Sequence, residues 1–212
     1  MDMFFQKPHE YISQRFYRWE TVFNHQLFDL GFDTKLSSSQ DAVQFKILQL
    51  SNDFDLVMIS EYFDESLILL KQLLCWDFED ILYLSKNRRS SSSHYQMTSS
   101  LVSYVSQWNK ADMKLYNHFN KTLWLKIKQY GHYFVKDLSE FRSRLKVVNE
   151  KCIEGSRQIY KKRRGDTEFE EYELRSDLPV SDLTFCQDLL KAHSDLYKLL
   201  KRDMITRGSI RQ

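Results

Sequence analysis

The chain has 212 residues, with Lys+Arg 31 against Asp+Glu 29 and a net charge of +2, so no global field recruits nucleic acid or an acidic membrane surface. At 42% hydrophobic and 15% aromatic residues it can bury a core, which excludes wholesale disorder. Gly 5 and Pro 2 are low for this length, disfavouring a loop-rich all-β fold and pointing to long helices.

The chain opens on an aromatic segment (Phe4, Phe5, Tyr11, Phe16, Tyr17, Trp19, Phe23) in mid-pattern and reads as a fragment. "MDMFFQKPHEY" lacks the basic flank and apolar stretch of a signal peptide, and the longest apolar run, 67–70, is far short of a membrane span. Residues 2–30 are predicted helical, stopped by Gly31 in "LFDLGFD". In "SSSQDAVQFKILQL", Ser39 is a predicted N-cap and Ala42, Phe45 and Leu48 a predicted apolar face.

"FDLVMI" (54–59) and "ILYL" (81–84) read as short buried strands flanking a helix over 65–75 capped by Asp64, a spacing that suits a βαβ unit in a parallel sheet. The fold class expected is therefore α/β over 1–108, followed by a helical region over 109–212. In that region Met113, Tyr116, Phe119, Leu123 and Ile127 form one stripe, ended by Gly131. Phe134, Leu138, Phe141, Leu145, Val148 and Cys152 form a second. A C-terminal helix, capped by Ser181 or Asp182, repeats the device with Leu183, Cys186, Leu190, His193, Tyr197, Leu200 and Met204. The last two stripes pack most simply as an antiparallel hairpin over 132–205. Between them, "KKRRGDTEFEEYELRSD" reads as an exposed, self-neutralising connection.

Of the three cysteines, Cys75 reads as a small buried hydrophobe. Cys152 and Cys186 sit at the ends of the two hairpin helices that would be neighbours, so a disulfide is geometrically reasonable, with two buried free thiols as the alternative. A bridge would imply an oxidising compartment. The sequon Asn120-Lys121-Thr122, an N-glycosylation acceptor in a secretory protein, leans the same way.

The sequence holds no Gly-rich phosphate loop, no metal-ligand spacing and no nucleophile elbow. Its six histidines are scattered; His193 reads as a core residue and His118 as a surface one. What remains for binding is Lys86, Asn87, Arg88 and Arg89 in "LSKNRRSSSSHY", cations and amide donors at the carboxyl end of the second predicted strand. Open α/β folds bind ligands there, and arginine forks suit phosphate or sulfate oxygens. A solvated basic loop is the plainer reading of the same residues.

Four stretches then carry a resemblance. "LFDLGFD", "FDLVMISEYFDESLILLKQLLCWDFEDILYLSKNRR", "WNKADMKLYNHFNKTLW" and Lys151-Cys152 occur in the order seen in galactose-3-O-sulfotransferases, a group that includes galactosylceramide sulfotransferase. The likeness covers nearly the whole chain, weakens over 155–180, and is that of the C-terminal half of such an enzyme. It implies a sulfotransferase fold, a P-loop-like parallel sheet flanked by helices. It also implies transfer of a sulfuryl group from 3′-phosphoadenylyl sulfate (PAPS) to the 3-hydroxyl of galactose, in galactosylceramide or a galactose-terminated glycan, without a metal.

By the same resemblance, the protein would work on the luminal side of the Golgi membrane, held by an upstream anchor that this chain lacks. The family's phosphate loop, its 3′-phosphate segment and its presumed catalytic histidine also lie upstream. No catalytic residue is therefore assigned here, and this chain alone is expected to lack activity. By analogy with related sulfotransferases, 86–89 would contact the 3′-phosphate end of the nucleotide, near the turn at Glu61 and Tyr62. The competing reading is a non-catalytic helical module whose stripes bind a partner helix; a homo-oligomer is left open.

Overall fold

A computed structural model describes residues 22–85, 88–89, 97–162, 168–191 and 193–208. The chain divides into two compact units, one of residues 1–76 with 95–138, the other of 77–94 with 139–212. Residues 2–21 of the helix predicted over 2–30, and Lys86 and Asn87, lie outside the described residues; of 22–30 only 25–29 is helical.

In the first unit, helix α1 (His25–Asp29) is stopped as expected by Gly31, at φ 79. Its start is set by a contact that no local pattern announces. Asn24 adopts the left-handed conformation (φ 47) and is 1% exposed. Its Oδ1 accepts from the N–H groups of Ala111 and Asp112, at 3.0 and 3.1 Å. In return the Asp112 carboxylate accepts from the N–H groups of Gln26 and Leu27, and Asn109 Oδ1 from that of Asn24. Two helix starts far apart in sequence thus cap each other, each supplying the acceptors that the other's first turn lacks.

Helix α2 (Gln40–Asp53) begins at Ser39 as predicted, with Ser39 Oγ accepting from the Ala42 N–H at 3.3 Å. The expected face is displaced. Val43, Ile47 and Leu50 are buried, whereas Phe45 is 73% exposed. Both sets have helical spacing, so periodicity could not choose; the buried set is the one that meets Leu115 and Phe119 in the core.

Helix α3 (Phe63–Leu74) buries Ser66, Leu67, Ile68 and Leu69. Asp64 does not cap it: the helix starts at Phe63, two residues before the predicted start, and Asp64 lies in the first turn beside Glu65, where negative charge meets the positive end of the helix. Its far end is a Schellman turn, with Cys75 N–H to Gln72 O and Trp76 N–H to Lys71 O around a left-handed Cys75 (φ 55). Cys75 is consequently exposed, not buried as predicted, because the turn swings it past the apolar face.

Helix α4 (Ser99–Trp108) is capped by Thr98 and buries Leu101. Helix α5 (Lys110–Tyr130) runs to Gly131 and buries Ala111, Leu115, Phe119 and Leu123; the first predicted stripe is right at Phe119 and Leu123, while Met113 is exposed. Helix α6 (Tyr133–Cys152) opens in this unit with Phe134 packed edge-on against Tyr130 at 5.6 Å.

In the second unit, α6 continues with the predicted stripe: Phe141, Leu145, Val148 and Cys152 are all buried. Phe78 and Tyr83 each lie 6.4 Å from the fully buried Phe141 ring. Arg144 pairs with Glu79 and Glu140 and covers the Phe78 face at 4.9 Å.

Strands β1 (Arg88–Arg89), β2 (Ile153–Lys162) and β3 (Glu168–Leu174) form an antiparallel sheet in the order β1-β3-β2. The predicted exposed connection is therefore a β-hairpin. Its register sets Lys162 opposite Glu168 and Tyr160 opposite Glu170, a basic strand against an acidic one.

Helices α7 (Val180–Leu190) and α8 (His193–Thr206) replace the single predicted C-terminal helix, which breaks at Lys191, extended at ψ 135. The cap of α7 is Pro179, with no side-chain hydrogen bond; Asp182 sits in its first turn and pairs with Lys151 at 2.7 Å. Cys152 and Cys186 form the expected disulfide, with Cα atoms 5.5 Å apart, buried with Leu84, Val148 and Ile153. Beyond the break, Tyr197 and Leu200 are exposed, so the stripe predicted for the C-terminal helix is buried only near its start.

The predicted parallel sheet is absent among the described residues. Segments 54–59 and 81–84 carry no strand, although the backbone is extended at Phe54 (φ −115, ψ 121) and Ile59 (φ −109, ψ 123). Apolar, β-branched composition is enough to extend a segment and bury part of it. A strand also needs a neighbour to exchange hydrogen bonds, and that neighbour is not among these residues.

Candidate functional site: a cleft beside residues 54–61

The extended segment 54–59 is held at its end by a side chain. Ile59 N–H donates to Ser66 Oγ at 3.1 Å, the Ser66 hydroxyl faces Ile59 O at 3.5 Å, and Tyr62 N–H donates to the same carbonyl at 3.0 Å. Ser66 is fully buried on α3, so the helix itself fixes where the chain turns from extended to helical. Ser60 and Glu61 emerge at that turn, exposed, with Ser60 Oγ donating to Glu61 Oε2 at 3.2 Å. Tyr62 turns the other way, its ring packed edge-on against Trp124 at 5.0 Å.

Between this segment, the end of α1, the end of α2 and the middle of α5 lies a cleft of about 430 Å³. Leu50, Ile59, Leu115 and Phe119 form its buried floor, with Leu30, Leu56, Val57 and Met58 half-buried along its walls. The polar side chains come from Gln26, Ser60, Glu61 and Tyr116. Desolvation, with the nearby Glu61 and Tyr62, holds the Tyr116 phenol above its usual range, and no hydrogen bond is among the causes. The volume falls within the roughly 300–1,000 Å³ of small-molecule sites, and the mixture of apolar floor and few polar groups is typical of them.

The residues singled out in the sequence fall in both units. Glu61 and Tyr62 belong to the first. Arg88 and Arg89 belong to the second, where they are strand rather than open loop: Arg88 pairs with Glu170 and Arg89 with Phe169. His118 is half-buried, not on the surface: its Nε2 lies 2.7 Å from Ser51 Oγ. Because the Ser51 hydroxyl donates to Ile47 O at 3.0 Å, the imidazole is the donor in this pair, through Nε2–H.

Asn120 lies in mid-helix on α5, half-buried, with Oδ1 lacking a partner among the described residues. No group of three or more His, Cys, Asp or Glu among the described residues is placed to hold a metal ion, and no described helix is long and apolar enough to cross a membrane.

Sequence reasoning missed the cleft because its floor is assembled from α2, α5 and the 54–59 segment. The one local signal was the Ser60–Tyr62 turn.

The profile of the galactose-3-O-sulfotransferase family matches residues 1–179. The chain belongs to the galactose-3-O-sulfotransferase family. It is similar to bovine galactosylceramide sulfotransferase (Bos taurus), 38% identical over 157 residues, covering 74% of this chain and 37% of the relative. The human protein of that name (Homo sapiens) is 36% identical with the same coverage. Mouse galactose-3-O-sulfotransferase 3 (Mus musculus) is 42% identical over 125 residues, covering 56% of this chain and 29% of the relative. This family member thus spans little more than a third of the curated relatives it matches over most of its length. No solved structure matches it.

Proposed function

We propose that this chain is part of a sulfotransferase that moves a sulfuryl group from PAPS to the 3-hydroxyl of galactose, on galactosylceramide or a related glycolipid or glycan. The observation that carries this reading is the family match over 1–179 together with the bovine and human relatives, whose names state galactosylceramide as acceptor.

In such a transfer the galactose oxygen attacks sulfur in line. The bond from sulfur to the donor's phosphate oxygen breaks, its electron pair leaves on adenosine 3′,5′-bisphosphate, and the hydroxyl proton passes to a base. Positioning and charge stabilisation supply most of the rate. We assign no base in this chain. Lys86, Asn87, Arg88 and Arg89 are proposed to bind the 3′-phosphate end of the nucleotide. The parallel sheet of the sulfotransferase fold is proposed for the whole enzyme, with 54–59 as one of its strands.

A luminal Golgi setting fits the Cys152–Cys186 bridge, which persists in an oxidising compartment, and the sequon at Asn120. The test is transfer of radiolabelled sulfate from PAPS to galactosylceramide and to a galactose-terminated glycan, by the 212-residue chain and by a full-length relative. The relative is expected to transfer and the chain alone to be inactive. Transfer by the chain alone would overturn the assignment of the catalytic groups to upstream segments. Adenosine 3′,5′-bisphosphate at 100 times its dissociation constant raises stability by about 2.7 kcal/mol. A thermal shift that survives replacement of 86–89 by alanine would remove those residues from the nucleotide site.

A second reading, a non-catalytic helical module, rests on α8, whose Leu196, Tyr197, Leu200 and Met204 are all exposed.

A further inference from the structure

We propose that α8 docks on an anionic lipid surface, its apolar side in the outer hydrocarbon and its cations at the headgroups. The helix falls beyond residues 1–179, the part that matches the family, so the inference does not rest on the sulfotransferase reading. Every residue from 194 to 204 is exposed, and Ile205 is half-buried. A helix of 14 residues with so little buried side is marginal in water and draws its stability from whatever covers its apolar face.

The exposed surface is sorted by type. Leu196, Leu200 and Met204 follow at steps of four, with Tyr197 three before Leu200, so they share one side of the helix. Lys198 and Arg202, also four apart, stand on the opposite side. Asp195 pairs with Lys198 at 3.3 Å and Asp203 with Arg207 at 2.9 Å. Lys201 and Arg202 are left uncompensated among the described residues, so 193–207 carries an excess of +2, equal to that of the whole chain. The field that the chain at large lacks is concentrated on one short helix.

A bilayer suits this arrangement better than a second copy does. Paired helices need an apolar seam kept up over about three or four heptads, and α8 supplies about two. Two copies would also set equal excesses of positive charge against each other. A lipid surface covers the apolar side whatever its length, and anionic headgroups meet the cations. Lys201 stands one turn after Tyr197, at the edge of the apolar side. Its stem can lie along the hydrocarbon there while its ammonium reaches the headgroups.

The experiment is co-sedimentation of the 212-residue chain with phosphatidylcholine vesicles, with and without phosphatidylserine. Binding is expected to be about tenfold tighter with phosphatidylserine and to weaken as salt is raised. Leu200→Asp, at an exposed position, is expected to lower binding to the anionic vesicles about tenfold without changing the melting temperature. Met204→Asp serves if the first variant unwinds the helix. Lys201→Gln with Arg202→Gln should remove the preference for phosphatidylserine. Phe45→Asp, at an exposed apolar position on α2, should leave binding unchanged.

No sedimentation with the anionic vesicles, undiminished binding by the folded aspartate variants of α8, or an equal loss in Phe45→Asp would overturn the proposal. So would a dimer, or a complex with a partner helix, that forms without lipid and is lost in Leu200→Asp, since protein would then cover the apolar side.

Discussion

The first unit closes its helix ends with side chains that reach across the sequence, whereas the second closes its core with a covalent bond. Around Asn24 and Asp112, four backbone N–H groups of two helix starts find acceptors on each other's side chains. Around Cys152 and Cys186, separated by 34 residues, a bridge joins the end of α6 to α7, and the paired charges Lys151–Asp182 and Arg175–Asp177 lie at the surface. Capping contributes to the folded state directly, while a bridge acts mainly by restricting the unfolded chain. The two units should therefore respond to different insults.

The largest effect expected is reductive. Loss of the bridge in Cys152→Ala with Cys186→Ala should cost about 3–4 kcal/mol, the chain-entropy value for a loop of this length. Hydrogen exchange should quicken over 139–152 and 180–190 and stay unchanged over 110–130; equal loss in both would break the contrast between the units.

Next in size, Asn24→Ala removes the acceptor of two N–H groups and leaves at φ 47 a residue that tolerates the left-handed region less well than asparagine does. A cost of about 2 kcal/mol is expected, with exchange rising at 110–113. Asn24→Gly separates the two causes, since it keeps the backbone conformation and loses only the caps.

Smaller again is Tyr130, whose hydroxyl donates to Asp137 Oδ2 at 2.5 Å. Desolvation first, then the hydrogen bond and charge of Asp137, push its phenol up to about 12 from 10.0. A folded value above the unfolded one means its contribution is full below pH 10.0 and is lost as pH rises through 12. Tyr130→Phe should cost about 1 kcal/mol at neutral pH and flatten the alkaline limb of a stability profile. Asp112 has the same sign: burial raises its titration against the pull of its two backbone hydrogen bonds, so its contribution is full below 3.8 and declines as pH rises through the raised value.

The smallest expected change is a gain. Cys75 holds a left-handed turn that glycine adopts without strain, so Cys75→Gly should stabilise the chain by up to about 1 kcal/mol, read as a raised melting temperature. A loss would mean that the side chain makes a contact worth more than the strain.

Features that depend on neighbours along one helix were legible. The α6 stripe, the Ser39 cap and the stops at Gly31 and Gly131 each need only a few adjacent residues, and all are present. The bridge was legible as one of two readings, because both cysteines lie on such stripes; the structure chose it over two free thiols. The hairpin over β2 and β3 left a usable signal in its basic run followed by an acidic one, but without a register that run reads equally well as a solvated loop. The buried face of α2 was not legible, since Phe45 and Val43 are equally well spaced and only the position of α5 distinguishes them. Nor was the cleft, whose floor draws on three segments that no period connects.

By itself, the sequence determined the family, the helical stripes of α5 and α6 and the limits at Gly31, Ser39 and Gly131, and it offered the pairing of Cys152 with Cys186 beside two free thiols, because each follows from local spacing or from a long run of specific residues. Tertiary structure alone decided the mutual caps of Asn24 and Asp112, the buried side of α2, the antiparallel sheet in place of the expected parallel one, and the cleft at Glu61. Those depend on which surfaces meet across the chain, and hydrogen bonds and burial between distant residues leave no period in the sequence to be read.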